Sequence, residues 1–205
     1  MCKLKSAIIL KDRIFVPDYD SHNEMLRELG IEDDYIGASK TFVRAELSPK
    51  DGDEFSPVET WAFKVDQDIV PEWFSQDEYK PRMVIAVKAW ADEHIHVNKD
   101  GLVIDRGNGH RIKGGKNIVV RGSAQVKYIG GSAQVEYIGD SAQVEYIRDS
   151  AQVEYIRDSA VLSYYSTWEN EKKLKICGMA TVRDMKKRKI YQAGGFEFVS
   201  VEEEE

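Results

Sequence analysis

Apolar and polar positions follow two regimes along this chain. From residue 123 to residue 158 they recur every nine residues, as SAQVKYIGG, SAQVEYIGD, SAQVEYIRD and SAQVEYIRD, and a degenerate fifth unit, SAVLSYYST, fills residues 159–167. On either side the pattern is irregular and changes character every few residues. A short fixed period means that no unit buries its own apolar face, so each must stack on its neighbours. Val, Tyr and Ile bounded by Gly, Asp and Ser read as a strand between turns. Three columns are expected inside: Ala124/Ala133/Ala142/Ala151/Ala160, Val126/Val135/Val144/Val153/Leu162 and Ile129/Ile138/Ile147/Ile156/Tyr165. Ala and Val sit two apart and share a strand face. Ile follows Val by three, so the chain must bend between them to point both inward. Gly130-Gly131, Gly139-Asp140, Arg148-Asp149 and Arg157-Asp158 supply polar corners.

Nine residues are too few to close a coil around side chains, so two units make one coil of a narrow β-solenoid, 18 residues per turn. Successive coils then lie ~4.8 Å apart. The outward columns are Gln125/Gln134/Gln143/Gln152, Lys127/Glu136/Glu145/Glu154 and Tyr128/Tyr137/Tyr146/Tyr155/Tyr164. Odd and even units fall on opposite faces, which places Tyr128, Tyr146 and Tyr164 on one and Tyr137 and Tyr155 on the other.

The flanking regions predict a small α+β domain before the repeats and a β-rich cap after them, over residues 1–97, 98–167 (the solenoid) and 168–205. Residues 7–10 and 13–16 form a hairpin around Lys11-Asp12. Ser21-His22-Asn23-Glu24 is a capping box that opens a short helix carrying Met25, Leu26 and Leu29 and stopped by Gly30. Strands are expected at 41–47 and 59–65, with Trp61 and Phe63 opposite Ala62, and a helical turn at 71–74. Residues 81–96 are the best helix in the chain. Pro81 suits its first turn, and Met83, Ala86, Val87, Trp90 and Ala91 form its apolar stripe. A buried strand at 83–87 is the rival reading. Residues 101–104 and 117–120 enter the solenoid as irregular turns. Short strands are predicted at 174–177, 180–184, 188–192 and 196–201, with a basic connection at 185–189 and an acidic tail at 202–205.

Composition narrows the class of protein. The 205-residue chain carries 29 Lys and Arg against 36 Asp and Glu, a net charge of −7. That balance disfavours nucleic acid and favours basic protein surfaces as partners. Two cysteines, Cys2 and Cys177, lack metal-ligand spacing and suit a reducing cytosol. No apolar run is long enough to span a membrane, and Lys11, Asp12 and Arg13 interrupt the early apolar run, so no signal peptide is expected.

Candidate chemistry is sparse. His94-Ile95-His96 with His110 is a weak metal pattern, since residues two apart do not share a helix face. Asp66-Gln67-Asp68 and Glu32-Asp33-Asp34 offer paired carboxylates, with a solvated loop or a helix start as the plainer reading of each. Phosphate-binding glycine loops, the nucleophile elbow and calcium-binding nonapeptides are absent. No catalytic residue, metal ligand or cofactor is therefore expected.

The stretch WAFKVDQDIVPEWF at residues 61–74, followed by short repeats and a β-rich tail, resembles an uncharacterised family of proteins from bacteriophages and mobile elements of gut bacteria. That resemblance covers most of the chain. It transfers no active site but implies an accessory protein working in the cytoplasm of a bacterial host.

Together these readings point to a non-enzymatic binding protein, inhibiting a host factor such as a defence system through its repeat surface. The contact face is expected at Tyr137, Tyr146, Tyr155, Glu136, Glu145 and Glu154. Tyr gives large contact area at low entropic cost, and self-association is compatible with the same surface. The alternatives are a sequestering protein for a small, nucleotide-like ligand, walled by Trp61, Trp73, Trp90 and the His94/His96/His110 group, or a purely structural spacer.

Overall fold

The computed structural model describes residues 4–32, 41–164 and 174–193. The expected strand at 196–201, the acidic tail, Asp33, Asp34 and Tyr165 lie outside them. The chain divides into two compact units, Met1–Ile95 and His96–Glu205.

In the first unit, β1 (Lys5–Leu10), β2 (Ile14–Phe15), β3 (Phe42–Ser48) and β4 (Ala62–Val65) form an antiparallel sheet in the order β2-β1-β3-β4. Alternation decides its two faces. Ala7, Ile9, Val43, Ala45 and Leu47 pack with Trp61 against a long helix, α2 (Gln76–His94). Ile8 and Phe42 pack against α1 (His22–Glu28) through Met25 and Leu26. The capping box works as expected: Glu24 N donates to Ser21 Oγ at 3.3 Å. At the other end Gly30, with φ +68°, lets Ile31 N reach Leu26 O at 2.9 Å, closing α1 in a left-handed cap.

Helix α2 is helical throughout, so the rival strand at 83–87 does not form. Its start differs from the expectation. It begins at Gln76 with Ser75 as N-cap, and Pro81 lies inside. Asp77 and Glu78 in the first turn favour that earlier start by facing the positive end of the helix dipole. Residues 95 and 96 leave the helix and enter a strand. No helix among the described residues is long and apolar enough to cross a membrane.

The second unit is a β-solenoid of two sheets. The seven-stranded sheet holds β5 (Ile95–Val97), β7 (Asn108–Lys113), β9 (Gln125–Gly130), β11 (Gln143–Val144), β13 (Val161–Tyr164), β15 (Thr181–Asp184) and β16 (Lys189–Gln192). The five-stranded sheet holds β6 (Val103–Ile104), β8 (Ile118–Val120), β10 (Gln134–Ile138), β12 (Gln152–Ile156) and β14 (Lys175–Ile176). Gln134 pairs with Gln152 and Val126 with Val144, both in parallel, so one coil is 18 residues and two units, as the period predicts. The Ala, Val and Ile columns are all buried.

Parallel rungs continue on both sides of the repeats. Val103 pairs with Val119 and Ile104 with Val120 in the coils before them, and β14 and β15 stack on β12 and β13 after them. Among the described strands of this unit only β16 turns back, antiparallel to β15. The basic connection is the turn between these two strands. Its Lys187 amide donates to Asp184 Oδ1 at 2.8 Å.

The corners carry a device beyond generic turn propensity. Asp140, Asp149 and Asp158 sit at φ 54°, 56° and 60°. Each carboxylate reaches one coil back, Asp140 to Gly122 N at 2.8 Å, Asp149 to Gly131 N at 2.9 Å and Asp158 to Asp140 N at 3.1 Å. A left-handed corner suits Asp better than most residues, and the ladder satisfies amides that the sheets leave unpaired.

Tyr164 differs from the expected outward column. In β13 strict alternation holds, so Leu162 and Tyr164 both point inward, and Tyr164 is buried. The regular units bend at this position, which turns their tyrosines outward. Tyr164 instead bonds the buried Asp184. Burial works to raise that carboxyl, but the Lys187 amide and side chain and the Tyr164 hydroxyl outweigh it and hold it below the usual range.

Since β9, β10, β11 and β12 all begin with the same Gln-Val pair, deleting residues 141–149 should leave a folded stack, with β12 resting on β9 and β13 on β10. Stability of such stacks is a sum over neighbours. Tm should fall on the order of 5 °C while the strand signal in circular dichroism persists. Loss of that signal would show that the two sheets are not interchangeable.

Candidate functional site

The repeat faces divide the predicted contact residues between two sheets. Glu136, Tyr137, Glu154 and Tyr155 stand on the five-stranded sheet, where Tyr137 pairs with Tyr155. Glu145 and Tyr146 belong to the seven-stranded side, where Tyr146 O accepts from Ile129 N at 2.9 Å. The six residues therefore form two surfaces, as the odd–even alternation of units requires.

On the five-stranded sheet, Asn117, Gln134 and Gln152 form one wall of a shallow trough of about 340 Å³, and Glu136 and Glu154 form the other. The backbone of Val135 and Val153 supplies its floor, because these side chains point into the core. Glu154 has Lys175 Nζ at 3.5 Å. Glu136 has no ion-pair partner among the described residues and is exposed.

The tyrosine rings are covered by cations of the same chain. The Arg157 guanidinium lies 4.1 Å from the Tyr137 ring centroid, Arg148 lies 5.6 Å from Tyr146, and Lys175 Nζ lies 4.5 Å from Tyr155. Lys175 Nζ also donates to Tyr155 Oη at 3.0 Å, the main cause that raises the Lys175 ammonium above its ordinary value. Where the eighth position is glycine, the ring folds over it: a Cβ on Gly130 would meet Tyr128 Oη at 2.0 Å.

His94, His96 and His110 are buried, each with its own partners. His94 ends α2, with Nδ1 2.8 Å from Trp90 O and Nε2 2.9 Å from Asp18 Oδ1, and it stacks on the Trp90 indole. His96 Nε2 lies 3.3 Å from His110 Nδ1, and His110 Nε2 lies 2.9 Å from Arg106 O. No carboxylate completes a metal-ligand triad with His96 and His110 among the described residues. Trp61, Trp73 and Trp90 all belong to the core of the first unit, with Trp73 edge-on to Tyr79 at 5.3 Å.

The first unit also holds a polar cluster that the sequence did not announce. Lys5 is 1% exposed. Its ammonium donates to Asp20 Oδ1 at 2.9 Å and Tyr19 O at 3.0 Å, and lies 4.6 Å from the Trp90 ring centroid. Tyr19 donates to Glu28, and desolvation followed by that carboxylate pushes its phenol up to about 12. Lys5, Asp20, His94 and Asp18 thus fasten residues 17–20 to the sheet and to α2.

The chain matches no protein-family model, and no curated protein or solved structure is significantly similar to it.

Proposed function

We propose that the chain is a non-enzymatic binding protein whose recognition element is the outer face of the five-stranded solenoid sheet. One observation carries this reading. Glu136 stands directly over Glu154 beside two stacked glutamines, on the wall of an open trough. Like charges facing each other across a rung destabilise a sheet; Lys175 already answers Glu154, and an incoming lysine or arginine would answer Glu136. The glutamine wall offers amide donors and acceptors to an extended backbone. Tyr137 and Tyr155, which follow the two glutamates along their strands, are already covered by Arg157 and Lys175. The partner is a basic protein surface, and the setting is a bacterial cytoplasm in which an accessory protein of a phage or mobile element engages and inhibits a host factor.

A pull-down from bacterial lysate tests this. Capture by the wild-type chain should weaken as salt rises, since exposed charges are screened over about 8 Å at physiological ionic strength. The Glu136→Lys/Glu154→Lys chain should lose the captured protein. Glu145→Lys, on the opposite sheet, should keep it. Equal capture by all three chains would overturn the assignment, and dependence on the number of repeat units alone would favour a spacer.

A further inference from the structure

His22, Glu46 and Asp66 come from three segments distant in sequence, and their ligand atoms lie within 4.8 Å of one another. His22 opens α1, Glu46 lies on β3, and Asp66 follows β4. Glu46 pairs across the strands with Lys64, on the sheet face that α1 covers. The geometry points to a zinc site formed by His22 Nδ1 and the carboxylates of Glu46 and Asp66.

Three features of the cluster support this. First, His22 Nε2 lies 3.3 Å from Ala45 O. A carbonyl oxygen only accepts, so Nε2 carries a proton, which leaves Nδ1 as the nitrogen whose lone pair would meet an ion. Anchoring of the far nitrogen by a backbone carbonyl is the usual way a metal-binding imidazole is oriented. Second, Nδ1 faces Asp66 Oδ2 at 3.6 Å. That is too long for a hydrogen bond. It is close to the ~3.3 Å that separates two ligands of a tetrahedral zinc with bonds of about 2.0–2.1 Å. Third, the Lys64 ammonium sits 3.1 Å from Asp66 Oδ1 and 4.0 Å from Glu46 Oε2. It marks where positive charge is wanted, and its side chain is exposed enough to swing out when an ion enters.

The donor set selects the ion. One imidazole favours zinc over magnesium or calcium, which prefer oxygen alone. Three protein ligands leave a fourth position for water or for a donor from outside, the pattern of an open site. The sequence did not suggest it, because the ligands converge only through the pairing of β3 with β4 and the docking of α1.

Equilibrium dialysis of the full chain against zinc chloride, with metal analysis, tests the assignment, and cobalt(II) absorption in the visible range reports the ligand field. Wild type should retain one equivalent. His22→Gln and Asp66→Asn should each weaken retention by at least about tenfold, the loss that even an outer partner of a metal ligand can cause. Lys64→Met should bind severalfold tighter, a gain that misfolding cannot produce. His110→Gln should bind as wild type does. The site is overturned if His22→Gln retains the ion, if His110→Gln alone loses it, or if Lys64→Met binds no tighter than wild type.

Discussion

Val144→Asp should abolish the folded solenoid while leaving the first unit intact. Val144 is 2% exposed and sits in the inward column between Val126 and Leu162, its parallel partners one coil on either side. A carboxylate there would sit among the Ala, Val, Leu and Ile side chains of the solenoid core. The buried charge costs several kcal/mol, and protonation, the usual escape, still leaves an unsatisfied polar group. Because each coil rests only on its neighbours, damage in the middle separates the stack into two short pieces. A loss of about 4 kcal/mol or more is expected, a large share of the roughly 5–15 kcal/mol that stabilises an ordinary domain. Residues 1–95 form their own compact unit, so chemical denaturation should show one transition lost and one retained. The adjacent Glu145→Gln should stay within about 0.5 kcal/mol of wild type, since Glu145 is exposed and contributes to the ladder through its backbone, Glu145 N donating to Val126 O at 2.9 Å. Similar small effects from both substitutions would mean that inward and outward positions are wrongly assigned.

This contrast marks what was legible in the sequence. A strict period fixes which residues share a column, and the Ala, Val and Ile columns could be read as core without knowing where any strand ended. The coil length followed from volume alone. Legibility fails where the period fails. Strand β7 was missed because Gly107-Asn108-Gly109 reads as a turn. In the fold, Gly109 lies within a register shift against β9, and His110 and Arg111 are buried among partners of their own. Tyr164 was turned the wrong way because its unit keeps simple alternation where the others bend.

The candidate face was legible only in part. Glu136 and Glu154 were recognisable from spacing. Arg157 over Tyr137 and Lys175 over Tyr155 each join residues in adjacent coils, so they emerge only once the coil length is known. The irregular first unit offered still less. Lys5 stands in an apolar strand whose sequence gives no sign that its charge is buried, and Asp20 reads as a loop residue.

That buried lysine leads to the second large effect. Asp20→Ala should destabilise the first unit by about 3 kcal/mol, the low end for breaking a buried ion pair. The substitution strips the carboxylate from an ammonium whose side chain is 2% exposed, and also removes the acceptor of Ser6 N, 3.3 Å from the same oxygen. Tyr19 O and the Trp90 ring remain, which keeps the loss below that of a fully orphaned charge. Lys5→Met should cost much less. Its thioether chain fills similar space beside Trp90, and the Asp20 carboxylate, a third exposed, can turn to water. Replacing a buried pair with apolar atoms is often neutral or better, whereas removing one member is not. The Lys5→Met/Asp20→Ala chain should therefore be more stable than Asp20→Ala alone, the reverse of what additive losses would give. Urea denaturation of the four chains, following the transition of the first unit, measures this coupling. Simple additivity would show that the ammonium finds adequate solvation without Asp20, and would leave the fastening of residues 17–20 to His94 and Asp18.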